Sequence, residues 1–301
     1  MPVVSVLMPV YNGERYLAAA IDSALAQTFQ DLEVIVVDDG STDRSAAIAA
    51  DYAARFPDKV IVVSQANGGI SLARNAGIGV ARGRFLAVLD ADDLWLPHHI
   101  AECVKVLEAR GDVGLVHANI ERIDADGMQR QAVQRYWNQF ETDAFATIYL
   151  RYEHISCPTV VFRRELIDQV GPFDPAFTRL GSEDRDMWLR CAAVSGIVFI
   201  DEVHACYRMH AAGVSRNLDR MHRSRMALVE KFSKTPRGGP LRRRALAAAY
   251  RGLGEDMLGA GRRSDAVRAY ATAVMYGPSE VRAWKALLRS VMLPMRRHLG
   301  S

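Results

Sequence analysis

Short apolar runs alternate with longer stretches of helical periodicity through the first 120 residues. Residues 3–10 read as a strand and 14–26 as a helix. Residues 32–37 read as a strand, and 42–55 as a helix opened by the capping signal Ser41-Thr42-Asp43. A strand at 60–64, a helix at 70–81 and a strand at 85–89 come next. Pro97 opens a helix to Ala109, since proline suits a first helical turn, and 113–117 is a further strand. The β-branched runs are of the kind buried on both faces of a parallel sheet. The alternation predicts an α/β fold, a mostly parallel Rossmann-like sheet covered by helices.

Beyond residue 120 the pattern loosens. Residues 124–127 form a turn within a hairpin, 157–162 a strand and 171–175 a loop. Residues 182–194 are helical, 197–201 a strand and 215–232 an amphipathic helix. The string KTPRGGP at 234–240 is a linker, dividing a body at 1–233 from an all-helical appendage at 241–301. Within that appendage, Tyr250, Leu253, Gly254, Ala266, Tyr270, Ala273 and Pro278 resemble one tetratricopeptide repeat, although Met257 replaces the usual aromatic. Trp284 and Leu287 fall where a second repeat would begin. One such repeat cannot bury its own face, so the segment is expected to pack on the body or on a second subunit. A plain helical hairpin without a recognition role satisfies the same pattern.

Charge sharpens this division. The chain of 301 residues carries a net charge of +3. Residues 234–301 hold 14 Lys/Arg against 4 Asp/Glu, a net +10, and residues 1–233 hold 24 against 31, a net −7. The basic part can face acidic lipid, an acidic partner or water. The four cysteines, Cys103, Cys157, Cys191 and Cys206, form no CxxC pair, so their spacing suggests neither a zinc site nor a redox motif. They read as buried thiols in a reducing compartment. The apolar run at 3–10 is short, lacks a basic leader and contains Pro9, unlike a signal peptide. No apolar run approaches the roughly 18 residues that span a membrane. The expectation is a cytoplasmic protein, attached at most to a membrane surface.

Two acidic clusters carry the candidate chemistry. Residues 32–37 lead into Asp38 and Asp39, and 85–89 lead into Asp90, Asp92 and Asp93. Ligands of open α/β sheets sit outside the carboxyl ends of the strands, so both clusters point at one crevice. Five carboxylates around one cleft repel unless something neutralises them. A hard divalent cation holding a phosphorylated ligand is the simplest such arrangement.

PVYNGERYL (9–17), VVDDGSTD (36–43), GGISLARNAGI (68–78), LDADD (89–93) and GSEDRDMWLR (181–190) occur in this order. Together they resemble family 2 glycosyltransferases of the nucleotide-sugar GT-A fold, over about residues 3–230. The resemblance implies a nucleoside pocket at Pro9, Tyr11 and Asp39, with Asp38 supporting the turn or contacting ribose. Tyr11 can stack on or flank a base, and Asp39 can accept from a pyrimidine N3–H, a donor that cytosine lacks. The string Asp38-Asp39-Gly40-Ser41 equally suits a tight turn and a helix cap. Asp90-Ala91-Asp92 matches the family's metal-binding motif. There the second aspartate, Asp92, touches Mn²⁺ or Mg²⁺, while Asp90 leans on ribose or bound water. Arg74 and Asn75 match an element near the nucleotide, and Arg74 is expected to pair with phosphate or with Asp39. Glu183 and Asp184 match the catalytic acidic pair, with Asp184 as base. His210 matches a position near the metal or diphosphate. Arg208 and Arg216 are weaker diphosphate candidates. Asp93 is expected to cap the following segment. Trp188 and Trp95 either line the acceptor and sugar sites or belong to the core.

The activity implied is a metal-dependent, inverting transfer of a sugar from a nucleoside diphosphate donor, UDP-linked, to an acceptor hydroxyl. Glycan or lipid-linked acceptors would place it in cell-surface polysaccharide or glycolipid synthesis, with no nucleic-acid partner. The basic helices suggest a peripheral place at the inner face of the plasma membrane, or a protein partner. Two alternatives stand beside this. A sugar-phosphate nucleotidyltransferase would carry a Gly-rich, Arg-containing N-terminal loop, whereas residues 10–15 offer one glycine. A non-catalytic scaffold would have no need of intact Asp39, Asp92 and Asp184.

Overall fold

The computed structural model describes residues 1–133, 143–151, 155–210 and 218–292. The elements run β1 (Val4–Val10), α1 (Leu17–Leu25), β2 (Leu32–Asp38), α2 (Ser45–Arg55), β3 (Val60–Ser64), α3 (Ile70–Val80) and β4 (Phe85–Val88). Then come β5 (Leu94–Trp95), α4 (His99–Ala109), β6 (Val113–Ile123), β7 (Arg130–Val133), α5 (Ala144–Arg151), β8 (Val161–Arg163) and α6 (Glu165–Val170). The last are α7 (Glu183–Val194), β9 (Gly196–Arg208), α8 (Leu218–Phe232), α9 (Arg242–Gly259), α10 (Arg263–Tyr276) and α11 (Val281–Met292).

The strands form one sheet in the order β3-β2-β1-β4-β8-β6-β9-β5, with β7 added on β6. From β3 to β4 every pairing is parallel. Every residue of β1, β2 and β4 is buried, as expected for strands covered on both faces. Beyond β4 the sheet is mixed: β8 is antiparallel to both β4 and β6, and β9 is parallel to β6. One core cluster joins inward residues of these strands to Leu17, Ile21 and Ala24 of α1 and Ile100, Cys103 and Leu107 of α4.

Three local expectations change. The segment 157–162 begins as a 3-10 turn at Cys157–Thr159, because Pro158 cannot donate to a ladder, and only Val161–Arg163 pairs as a strand. Helix α2 starts at Ser45 rather than Thr42, with Asp43 Oδ1 accepting from the Ser45 amide at 2.9 Å. Strands β6 and β9 run several residues past the apolar stretches that announce them.

The chain divides into two compact units, Met1–Phe145 with Glu153–Gly213, and Ala146–Tyr152 with Val214–Ser301. In the second unit α8 packs on α9, α9 on α10 and α10 on α11. The segment 234–240 lies between α8 and α9. A Cβ added at Gly254 would sit 2.5 Å from the Tyr270 ring, so glycine permits the close approach of α9 and α10. Among the described residues no helix is long and apolar enough to cross a membrane.

Candidate active site

Parallel neighbouring strands deliver their succeeding residues to one edge of the sheet. Val10 is level with Asp38, and Leu7 with Val88, so Tyr11, Asp39 and Asp90 all emerge at the carboxyl edge. Strand β6 runs antiparallel to β8, as β4 does, and β9 runs with β6. Residues after β9 therefore reach that same edge. There His210 Nε2 lies 2.8 Å from Asp92 Oδ2.

On the β2 side, Pro9 lies within buried β1, level with Val37, and Tyr11 is 54% exposed. The Ser41 amide donates to Asp38 Oδ1 at 3.1 Å, the turn arrangement that the string favours. Asp39 is buried and accepts three bonds, from Gln65 Nε2 at 2.7 Å, Gly68 N at 2.9 Å and Gly69 N at 2.8 Å. Gly69 has φ +87°, and a Cβ there would meet Thr178 Cγ2 at 2.4 Å. The GSTD string also braces the loop after β1. Asn12 N donates to Ser41 Oγ at 3.0 Å, Glu14 N to Asp43 Oδ2 at 2.9 Å, and Thr42 N to Asn12 Oδ1 at 2.8 Å. Asn12 holds φ +52°, which its short amide tolerates.

Arg74 is buried, and its donors engage carboxylates other than Asp39. Its Nη2 donates to Asp90 Oδ1 at 2.7 Å and its Nη1 to Glu183 Oε1 at 2.9 Å. Its guanidinium lies over the Phe173 ring at 5.3 Å. One guanidinium thus ties the first aspartate of the DAD turn to the start of α7. Asn75 supports the same corner, exchanging two bonds with the Phe173 backbone. Burial pushes the Glu183 carboxyl up to about 7, with Arg74 opposing. Asp184 keeps partial solvent access, and its Oδ1 accepts from the Arg185 amide at 2.6 Å. Burial raises its carboxyl too, again against Arg74. Both acids stand in the first turn of α7, where the helix dipole favours negative charge.

Asp93 does not cap the next segment. It is buried, and its Oδ1 accepts from the Arg208 amide at 2.8 Å. Arg208 in turn donates from Nε to the Asp92 carbonyl at 2.8 Å and from Nη1 to the Ala125 carbonyl at 3.1 Å. The guanidinium stacks over Tyr16 at 4.6 Å, and Tyr16 also faces the His210 ring. Arg208 is thus a clamp on the DAD turn, with its Nε and Nη1 donors engaged by the chain itself. Trp188 is core, packed edge-on against Phe162 and Phe173. Trp95 is core as well, with its indole N–H on the Pro158 carbonyl. Arg216 lies outside the described residues.

Asp92 and His210 offer a carboxylate oxygen and an imidazole at one partly exposed point, donors suited to a divalent cation, while Asp90, two positions earlier, is held by Arg74. Burial and the charge of Asp90 raise the Asp92 carboxyl, with His210 opposing. Two neighbouring carboxylates in this state gain from a bound cation, so the residues fit one. Sequence reasoning missed Gln65 and the clamping role of Arg208. Neither belongs to a motif, and their partners lie 26 and 116 positions away.

Acidic groups gathered at the carboxyl edge of a helix-covered α/β sheet stand where proteins of this class bind their ligands. The particular family emerges from comparison with known proteins. Residues 5–171 match the model of glycosyl transferase family 2, and the chain belongs to that family. Its fold is the GT-A fold. It is 36% identical over 214 residues to an uncharacterised glycosyltransferase of Nostoc sp. (strain PCC 7120), covering 69% of this chain and 65% of that relative. Among solved structures, S. aureus TarS 1–349 in complex with UDP superimposes with a TM-score of 0.64 at 16% identity, covering 96% of this chain and 90% of that one. A mannosyltransferase from Pyrobaculum calidifontis, in complex with GDP-Man and Mn²⁺, gives 0.62 at 23% identity, covering 96% and 79%.

Proposed function

We propose that this chain is a glycosyltransferase that works by a metal-dependent, inverting displacement. It would move a sugar from a nucleoside diphosphate donor, UDP-linked, to an acceptor hydroxyl. The observation that supports this best is the 2.8 Å contact between Asp92 and His210, set beside the Arg74–Asp90 pair at the carboxyl edge. Asp92 and His210 are the proposed ligands of Mn²⁺ or Mg²⁺. When bound, the cation offsets charge on the departing diphosphate. Tyr11, Pro9 and Asp38 flank the nucleoside. Asp39 acts on the base with whatever capacity its three loop bonds leave, and it fixes the loop at 65–69 in either case. Arg74 holds Asp90 toward the donor and Glu183 beneath Asp184.

In the reaction, the acceptor oxygen forms a bond to the anomeric carbon while the bond from that carbon to the diphosphate breaks. The acceptor proton passes to Asp184, on the face opposite the leaving group. Glu183 is a positioning residue here, since its carboxylate is bound to Arg74. UDP specificity rests on analogy with TarS, which is solved with UDP. A role in polysaccharide or glycolipid synthesis is proposed with it, and so is a peripheral place at the inner membrane face. Helix α11 supports the latter: Val281, Trp284, Leu288 and Met292 are exposed beside Arg282, Lys285 and Arg289.

The test uses water as acceptor. The chain is incubated with UDP-, GDP- and dTDP-sugars and Mn²⁺, and NMR reads the freed sugar before it mutarotates. Release with inverted anomeric configuration is expected. Release with retained configuration overturns the single displacement, and no release from any donor overturns the enzymatic reading of this site.

A further inference from the structure

A second cluster of metal-binding side chains lies in the same unit, built from nitrogen and sulfur rather than oxygen. His99 and Cys103 stand four positions apart on one face of α4, so their side chains project together. His204 reaches them from β9. His99 Nδ1 lies 3.3 Å from His204 Nδ1 and 3.7 Å from Cys103 Sγ. All three donor atoms lie within 4.8 Å of one another, and all three residues are buried. A tetrahedral zinc ion, with bonds of about 2.0–2.1 Å to nitrogen and about 2.3 Å to sulfur, sets its ligands about 3.3–3.6 Å apart. The two closer separations match that edge length.

Hydrogen-bond accounting points the same way. Two neutral imidazoles facing through Nδ1 share one hydrogen bond, and each must place its remaining proton or lone pair at Nε2. Neither His99 Nε2 nor His204 Nε2 has a hydrogen-bond partner, and both atoms are buried. An ion between the Nδ1 atoms would use both lone pairs, moving the donor ring's proton to Nε2 so that both rings are protonated there. The His204 Nε2–H would then face Glu202 Oε2, 3.8 Å away, as an outer partner of a ligating histidine commonly does.

We propose that His99, Cys103 and His204 bind zinc as three protein ligands, with water taking the fourth position. On binding, Cys103 gives up its thiol proton to solvent and ligates as thiolate, and the two histidines ligate as neutral rings through Nδ1. Nitrogen and sulfur donors favour zinc over the hard cations that suit Asp92. The position gives the site a purpose. Strand β5 comes directly after Asp92 and Asp93 and pairs with β9, where Leu94 meets Cys206 and Trp95 meets Ala205. The Leu96 amide donates to the His204 carbonyl at 2.9 Å, and the His99 ring packs on Trp95. An ion here would pin the segment leaving the DAD turn to the strand that carries Arg208 and leads to His210. It is independent of the donor chemistry proposed above.

Cobalt(II) tests this on the full chain, because a cysteine thiolate gives it a charge-transfer band that carboxylates do not. Wild type and Asp92→Asn should both develop the band to one equivalent, and Cys103→Ala should lose it. A band missing from wild type, or kept in Cys103→Ala, overturns the site. Should Cys103→Ala fail to fold, X-ray absorption of the wild-type chain with one equivalent of zinc decides. One sulfur with nitrogens in the first shell is expected, and a shell of oxygen and nitrogen alone overturns it.

Discussion

At the scale of single residues, the site turns on how burial and Arg74 divide the work of two adjacent acids. Asp184 keeps solvent access, and Glu183 is locked beneath it. Asp184→Asn should lower turnover by about 10²–10⁴-fold with little change in donor KM, as loss of a general base does. Steady-state donor hydrolysis measures both. Only ionised Asp184 accepts a proton, and burial raises its carboxyl, so the acid limb of the rate profile should lie above the ordinary aspartate range. The rate then climbs as pH rises through that value.

Glu183 carries a stability consequence of definite sign. Its carboxyl stands at about 7 in the folded chain against an ordinary 4.5, so the folded state binds this proton more tightly. The contribution is fully present below the unfolded value, and it is lost as pH rises through the folded one. In Glu183→Gln the urea midpoint should change less between about pH 5 and about pH 8 than in wild type. An unchanged pH dependence would place the raised carboxyl elsewhere.

At the scale of elements, the loop from β3 to α3 does for Asp39 what Arg74 does for Asp90. Gly69→Ala would introduce a Cβ at φ +87° and 2.4 Å from Thr178 Cγ2. It should cost about 1–3 kcal/mol of stability and weaken nucleotide binding together. Thermal unfolding and titration with UDP check the two effects. The parallel elements around this loop are legible because β1, β2 and β4 are buried throughout and read as unbroken apolar runs. Strand β9 is legible only in part. Its first half is mostly half-buried, it carries exposed Asp201 and Glu202 at its middle, and it shifts register against β6. Pairings such as Arg74–Glu183 and Asp92–His210 span more than 100 positions. Motif order brings those residues onto one site, but which side chain meets which depends on sheet order. That is why the motifs alone leave Arg74 to phosphate or Asp39, and why scattered cysteines conceal the His99–Cys103–His204 cluster.

At the scale of the whole molecule, the proposed chemistry is kept in one unit. Every proposed site residue lies in the unit Met1–Phe145 with Glu153–Gly213. The helices of the other unit end in α11, whose exposed apolar positions sit beside three basic ones. Charges near an anionic surface contribute about 1 kcal/mol each, so reversing Arg282, Lys285 and Arg289 to Glu should abolish co-sedimentation with phosphatidylserine vesicles. Donor hydrolysis should persist in that variant, and wild-type binding should weaken with salt. The tail's resemblance to a tetratricopeptide repeat is legible in its small residues, and the close approach of Gly254 to Tyr270 accounts for them. A partner for α11 leaves no signature in the sequence.

The most direct measurement is calorimetric titration of UDP and GDP into wild type and Asp92→Asn, with and without Mn²⁺. Binding of one diphosphate that requires Mn²⁺ and is lost in Asp92→Asn is the predicted result. Equal binding with and without the cation, or undiminished binding in Asp92→Asn, would contradict a donor site organised around Asp92 and His210.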